Sequence, residues 1–304
     1  MAKLRLMIFS LALILLSGCA SQADIAIPKR EPAPLKLTKP PRIALVLGGG
    51  GARGYAHLGV IKTLSKAGIP IDLIVGTSAG SIVGALYADN ADPQLAERTM
   101  RQAKFFDLAD FTFVPYGYGF ISGRKLQHFL LNKMRSRWFN ELKIPLVVVT
   151  TDLYSGKPKT ISSGPISPAV NASSAMPGAV HPVKMYGHTL IDGGMVAQIP
   201  VNIAKQYHPD IIIAVDIEAE FSNDMPTSIA GVFARALDIS IHAIADFSGK
   251  GADITIHPVV GNVGVFDLSK KSQLIHAGEV AAQKALPQIK TLLAKKAVRG
   301  VKKI

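Results

Sequence analysis

Three observations predict an α/β fold with a mainly parallel central sheet covered by helices on both faces. Short, wholly apolar runs alternate with stretches of helical periodicity from residue 42 onward. The runs lack the polar alternation of a half-exposed sheet, so both faces must be covered. Glycine-bearing motifs close three of them.

The elements follow in order. Ile43 to Leu47 is apolar and ended by glycines, which predicts a buried strand. Tyr55 to Ala67 predicts a helix, with Leu58, Ile61 and Leu64 recurring every three residues and Gly68 as its stop. Ile71 to Val75 predicts a second strand and Ser78 to Ala88 a second helix. Asp92 followed by Pro93 is an N-cap and a first-turn proline, opening a third helix. Ser122 is expected to cap a fourth, running to about Met134. Leu146 to Thr150 and Ile211 to Val215 predict further strands, and Leu190 to Asp192 an apolar strand ending in a carboxylate. Ile229 to Phe247 predicts a long helix, Ile254 to His257 a last strand, and Gly278 to Lys296 a C-terminal helix kinked by Pro287.

Composition narrows the class. Of 304 residues, 48% are hydrophobic and 18% charged, which excludes a disordered chain. The single cysteine, Cys19, excludes a disulfide scaffold and a cysteine-based zinc site. No apolar run reaches the roughly 20 residues of a membrane-spanning helix. The formal charge of +13 favours an anionic surface, phospholipid or nucleic acid.

The first residues read as an address. Lys3 and Arg5 precede the apolar run Leu6 to Leu16, and Ser17 and Gly18 lead into Cys19. This window resembles the lipobox of bacterial lipoproteins. The resemblance implies a signal peptide over 1–18, lipid on the Cys19 sulfur, and anchorage in the cell envelope. Ala20 in place of aspartate points by the same resemblance to the outer membrane, facing the periplasm. An exported lipoprotein seldom meets nucleic acid, so lipid is the expected partner. Residues 19–41 hold five prolines and no aromatic residue, and are expected to form an extended tether. The folded domain is expected over 42–268, followed by the C-terminal helix and basic tail, 269–304.

Three motifs carry chemistry. Gly48-Gly49-Gly50-Gly51-Ala52-Arg53-Gly54 follows the first strand and precedes the first helix. Exposed amides beside a helix N-terminus hold negative charge. A nucleotide P-loop needs Lys and Ser/Thr after the last glycine, and Tyr55 stands there instead. A dinucleotide site needs an acid at the end of the next strand, which runs into Gly76. An oxyanion hole remains open. Gly76-Thr77-Ser78-Ala79-Gly80 is a Gly-x-Ser-x-Gly elbow between strand and helix, which lifts the serine oxygen clear of the sheet edge. Asp192-Gly193-Gly194 alone is an ordinary turn; paired with a serine that needs a base, Asp192 becomes the candidate.

The order of these motifs, with "TSAGSIVGALYA", "TTDLYSGKPKTISSGPISPAVNASSAMPG" and "IDGGMVAQIPVNIA", resembles the patatin-like phospholipases over about residues 42–268. The resemblance implies a three-layer α/β/α sandwich of patatin type and a lipid acyl hydrolase with no metal or organic cofactor. It implies Ser78 as nucleophile and Asp192 as base. The amides of Gly49, Gly50 and Gly51 would form the oxyanion hole, and Arg53 would support that loop or meet a phosphate. Gln198 departs from the asparagine of many relatives, and Gly48 from the aspartate of some. Two other classes compete: a lipid- or partner-binding envelope lipoprotein without catalysis, and a nucleotide-binding module.

A Ser-Asp-His triad would draw its histidine from His208, His242, His257 or His276, none of which sits in a motif. Residues 105–120 hold Phe105, Phe106, Phe111, Phe113, Tyr116, Tyr118 and Phe120, suited to an acyl pocket, a lipid surface or the core. The tail from Lys290 to Ile304 has six basic residues and no acid, suited to anionic headgroups or solvent.

Overall fold

The computed structural model describes residues 25–111, 119–221 and 225–301. The signal window and Cys19 therefore lie outside the described residues, as do Phe113, Tyr116 and Tyr118.

Among the described residues eight strands form one sheet: β1 (Ile43–Leu47), β2 (Leu73–Thr77), β3 (Leu146–Asp152), β4 (Pro158–Ile161), β5 (Val183–Met185), β6 (His188–Asp192), β7 (Ile211–Val215) and β8 (Ile254–Ile256). Their order is β5-β6-β3-β2-β1-β7-β8, with β4 also on β3. β8, β7, β1, β2 and β3 are parallel, while β4, β5 and β6 join antiparallel. The sheet is thus mixed at one end, where β4 and β5 are short pieces that the apolar pattern does not announce.

Nine helices accompany the sheet among the described residues: α1 (Tyr55–Lys66), α2 (Ala79–Asn90), α3 (Pro93–Gln102), α4 (Phe105–Leu108), α5 (Arg124–Lys133), α6 (Ile166–Ser173), α7 (Val201–Lys205), α8 (Ile229–Ser248) and α9 (Lys271–Val301). Asp92 caps α3 as expected, accepting from the amides of Gln94 at 2.9 Å and Leu95 at 3.0 Å. α5 starts later than expected. Gly123 is its cap residue, at φ 79, while Ser122 Oγ accepts from Arg124 N–H at 3.3 Å and donates to Asp110. α9 begins at Lys271, and Gly278 is a crossing point rather than a start: a Cβ there would lie 2.0 Å from the Ala56 carbonyl of α1.

The alternation hidden within each apolar strand builds two cores. Ile43, Leu45 and Leu47 of β1 face one side, where they meet Leu58, Leu86, Leu130, Val170 and Ile275. Ala44 and Val46 face the other, against Ile199, Val201, Ala204 and Ala245. Helices therefore cover both faces, giving the three-layer α/β/α sandwich. Because α9 contributes Leu274, Ile275, Ala282 and Ile289 to the larger core, the C-terminal helix is part of the domain and not an appendage.

The proline-rich segment has no regular structure from residue 25 to 41, yet part of it is fastened down. Leu35 N–H donates to Ser162 Oγ at 3.0 Å, Ser163 Oγ donates to the Pro32 carbonyl at 2.9 Å, and Glu31 pairs with Lys159 at 2.6 Å.

Candidate active site

The register of β3 creates the site. Val148 pairs with both Gly76 of β2 and Ile161 of β4, so those strands flank β3 on opposite edges. Thr150 pairs with both Lys159 of β4 and Asp192 of β6, so β6 lies opposite β4, on the edge that β2 occupies. β2 and β6 therefore meet end to end along one edge of β3. Their last residues, Thr77 and Asp192, pair with adjacent residues, Val149 and Thr150.

Ser78 follows Thr77 at φ 51 and ψ −121, a conformation that L-residues rarely adopt. The turn is tight enough that a Cβ on Gly80 would lie 2.2 Å from the Leu47 carbonyl, and one on Gly76 would lie 2.7 Å from the Gly80 carbonyl. Ser78 N–H donates to Ser173 Oγ at 2.9 Å, and Ser173 in turn donates to the Val149 carbonyl at 2.6 Å. The Ser78 carbonyl accepts from Ser81 Oγ at 2.7 Å. The backbone is thus held on both sides, and Ser78 Oγ donates to Asp192 Oδ2 at 2.7 Å. Thr77 and Ser81 spend their hydroxyls on the carbonyls of Ala197 and Ser78.

Asp192 is buried. Its Oδ1 accepts from Gly194 N–H at 2.8 Å, its carbonyl accepts from Thr151 Oγ1 at 2.8 Å, and its amide donates to the Ala175 carbonyl at 2.9 Å. Gly193 leaves no room for a side chain, since a Cβ would meet the Val149 carbonyl at 2.2 Å. Burial pushes the carboxyl up to about 6, against the opposing pull of the Gly194 amide and the Ser78 hydroxyl. Such a group is ionised at neutral pH yet accepts a proton readily.

The glycine loop needs one correction. Gly49 N–H donates to the Gln198 carbonyl at 3.0 Å, so it is spent and cannot also hold an oxyanion. Gly50 and Gly51 amides have no partner among the described residues, and Gly51, at φ 57, borders the same cavity as Ser78. Arg53 supports this loop. Its backbone N–H and its Nε both donate to the Gly50 carbonyl, at 3.2 and 3.1 Å. Carbonyl and following amide oppose one another across a trans peptide, so this fixes the direction of the Gly51 N–H. The guanidinium also pairs with buried Glu218 at 3.3 Å, and Glu218 accepts from Gln198 Nε2. Gln198 thus braces the loop from its backbone and side chain. Gly54 abuts Ala79, with only 2.8 Å between an added Cβ and the Ala79 Cβ.

Ser78 and Asp192 line an apolar cavity with Tyr55, Ile82, Val83, Met100, Phe105 and Leu126. Of the aromatic cluster, Phe105 enters this cavity and stacks on Phe111, while Phe106, Phe111 and Phe120 stand exposed beside it. No histidine is among the described residues that line the cavity. His57 is fully buried with its Nε2 on the Gly48 carbonyl at 2.9 Å, and burial lowers it to about 4, so it is neutral and donates. His242 has carbonyls at both ring nitrogens, Ala219 at 2.7 Å and Asp238 at 2.9 Å. It must be protonated at both, and has no lone pair to offer the neighbouring Glu218 and Asp238 as a third metal ligand. Ser173, Gln198 and Glu218 are the supporting residues that motif reasoning did not assign; the first lies in the "NASSAMPG" window and the last in no motif.

Comparison with known proteins bears on the family and the fold. A family model described as patatin-like phospholipase matches residues 45–205, a span that contains both Ser78 and Asp192. The chain is 34% identical over 196 residues to patatin-like phospholipase domain-containing protein 6 of Mus musculus, covering 61% of this chain and 14% of that protein. It is 36% identical over 183 residues to lysophospholipase nte1 of Aspergillus fumigatus, covering 58% of this chain and 12% of that protein. It is 32% identical over 226 residues to an uncharacterized NTE family protein of Mycobacterium tuberculosis, covering 71% of this chain and 62% of that one. The chain thus spans about one seventh of the mouse relative and less than two thirds of the mycobacterial one. Among solved structures, VipD from Legionella pneumophila shares the fold at a TM-score of 0.58 and 13% identity, covering 90% of this chain and 72% of VipD.

Proposed function

The chain belongs to the patatin-like phospholipase family, and we propose that it hydrolyses carboxylic esters of lipids through an acyl-enzyme on Ser78, with Asp192 as the only base. The observation that carries this reading is the 2.7 Å contact from Ser78 Oγ to Asp192 Oδ2 at the head of an apolar cavity. Asp192 takes the hydroxyl proton as Ser78 Oγ attacks the ester carbonyl carbon. The carbonyl oxygen becomes an oxyanion, for which the unspent amides of Gly51, at the cavity edge, and of Gly50 beside it would be the donors. Collapse breaks the bond to the alcohol, and the proton on Asp192 passes to that leaving oxygen. Water then enters, Asp192 takes its proton, and hydroxide attacks the acyl carbon. Ser78 leaves with the proton, releasing the fatty acid. The apolar walls suit an acyl chain, and the reaction consumes only ester and water.

In this reading Cys19 carries lipid, which holds the enzyme in the bacterial envelope, at the outer membrane facing the periplasm. Anchorage raises the local concentration of a bilayer substrate without any new contact.

Incubation with a panel of phospholipids, lysophospholipids and acylglycerols, with products identified by mass, tests the activity. A fluorophosphonate should label Ser78, and Ser78→Ala should abolish labelling. Asp192→Asn should lower turnover about 10²–10⁴-fold, as general-base loss does. Alanine at His208, His242, His257 or His276 should leave turnover within a few-fold; a collapse in any folded histidine variant would favour a triad. The base must be ionised, so kcat/KM should fall as pH drops through about 6. Cys19→Ala should stay uncut, or leave the membrane fraction under a high-salt wash that the wild-type chain withstands.

A further inference from the structure

α8 is the anomaly of the fold. It is a twenty-residue helix, and only Ala245 and Ser248 are buried. Its outer stripe runs Ile229, Val232, Phe233, Ala236, Ile239, Ser240, Ala243, Phe247, all exposed, at helical three- and four-residue spacing. Ile229 is 92% exposed, Phe233 72% and Phe247 68%. No charge interrupts the stripe. Its one polar side chain, Ser240, donates to the Ala236 carbonyl at 2.9 Å, so it makes no demand on water. The inner side of the helix is committed: His242 bonds the Ala219 carbonyl and lies against Phe221, with ring centroids 4.2 Å apart, and Ser248 Oγ accepts from Ile199 N–H.

We propose that this stripe is a lipid-surface contact, with α8 lying in the interfacial plane of a bilayer. Two observations choose this occupant. From Ile229 to Phe247 the stripe is about 27 Å long at 1.5 Å per residue, and about 10 Å wide. That is about 300 Å² per copy, well below the about 800 Å² each partner buries in a stable dimer. The chain as a whole also carries a formal charge of +13, or +11 without Lys3 and Arg5 of residues 1–18, complementary to an anionic headgroup layer, while α8 itself holds Arg235 against Asp238 and Asp246. No helix among the described residues is long and apolar enough to cross a membrane, so α8 seats on the bilayer rather than in it as a span. The proposal concerns binding and stands apart from the chemistry at Ser78.

The test uses the full chain with Cys19→Ala and Phe233→Cys, so that residue 233 carries the one thiol and a polarity-sensitive dye. A matched chain carries the dye at Gln283→Cys, an exposed position of α9. Vesicles of equal parts ether-linked phosphatidylcholine and phosphatidylglycerol cannot be hydrolysed. The expected result is a blue shift at residue 233 and none at 283, unchanged by Ser78→Ala. With the dye at Ser240→Cys, the pair Phe233→Ser and Phe247→Ser should raise the lipid concentration needed for half the shift about tenfold or more. A dye at 233 that stays in water while the vesicles capture the chain overturns the proposal. A shift that needs no vesicles and grows with protein concentration also overturns it, in favour of a second copy. Because the lipids are uncleavable and the shift is read with Ser78→Ala, failure of the hydrolase reading would leave this outcome unaffected.

Discussion

α2 and α8 read alike in the sequence, as helical stretches rich in alanine and branched aliphatics, yet the fold treats them in opposite ways. Ten of the twelve residues of α2 are buried, against two of the twenty in α8. α2 carries glycine and alanine around its whole circumference, so strands and helices approach it from every side. A Cβ on Gly84, for instance, would meet Ile74 Cγ2 at 3.0 Å. α8 leaves Ile229, Val232, Phe233, Ile239 and Phe247 exposed along one stripe, half-buries Leu237, Ile241 and Ile244, and turns His242 and Ser248 to bonds with the domain. Hydropathy therefore predicts that both are helices. The angular distribution of bulk separates a helix the core surrounds from one the core meets on a single face.

That contrast can be broken most sharply at Gly80. Gly80→Val would drive a side chain into the Leu47 carbonyl beneath the α2 N-terminus. The expected outcome is loss of soluble, fluorophosphonate-reactive protein, read by labelling of the soluble fraction. Leu86→Ala in α2 empties a buried site and should lower unfolding free energy by about 2–5 kcal/mol in urea titration.

Asp192→Asn should act in the opposite direction. The folded carboxyl sits at about 6 against 3.8 for the ordinary group, so the native state binds the proton more tightly than the unfolded chain. The cost of ionising it is fully present above pH 6 and disappears as pH falls below 3.8. At 1.36 kcal/mol per unit, the amide should raise stability at pH 7 by up to about 3 kcal/mol, with the gain gone near pH 3.5. Both hydrogen bonds, to Gly194 N–H and to Ser78 Oγ, can be kept by an amide. The smallest effect belongs to α8: Phe233→Ala should change stability in water by no more than about 0.5 kcal/mol, as at other exposed positions. A loss as large as that of Leu86→Ala would mean that α8 is covered in solution.

Much of the fold is legible because fully buried strands are unbroken apolar runs. β1 and β7 have the predicted bounds, 43–47 and 211–215. β2 starts at Leu73 rather than Ile71 because the Asp72 carboxylate is turned back onto the amides of Arg42 and Ile43, at 2.9 and 3.0 Å. β4 and β5 are edge pieces of four and three residues, each with a lysine, and only their pairing defines them. The site divides in the same way. The local turns that present Ser78 and Asp192 are written in Gly76, Gly80, Gly193 and Gly194. Their contact is not local, since it depends on which residues of β3 each strand end faces. Spacing also cannot tell a free amide from a spent one, so Gly49 reads as equal to Gly50 and Gly51 until the Gln198 carbonyl is placed beside it.

The strapped N-terminal segment sets a length. A free chain from Cys19 to Arg42 would extend about 80 Å at about 3.5 Å per residue. Glu31, Pro32 and Leu35 are fastened to β4 and the residues that follow it, and this leaves only the stretch before Glu31 to pay out, about 40 Å. With lipid on Cys19, the domain is moored on a short leash rather than a long line. Under the lipid anchor proposed above, the domain would reach about half as far from the leaflet that holds Cys19 as an unfastened chain would allow. Under that proposal, three contacts remote from the catalytic pocket would set how far the active site stands from its anchor.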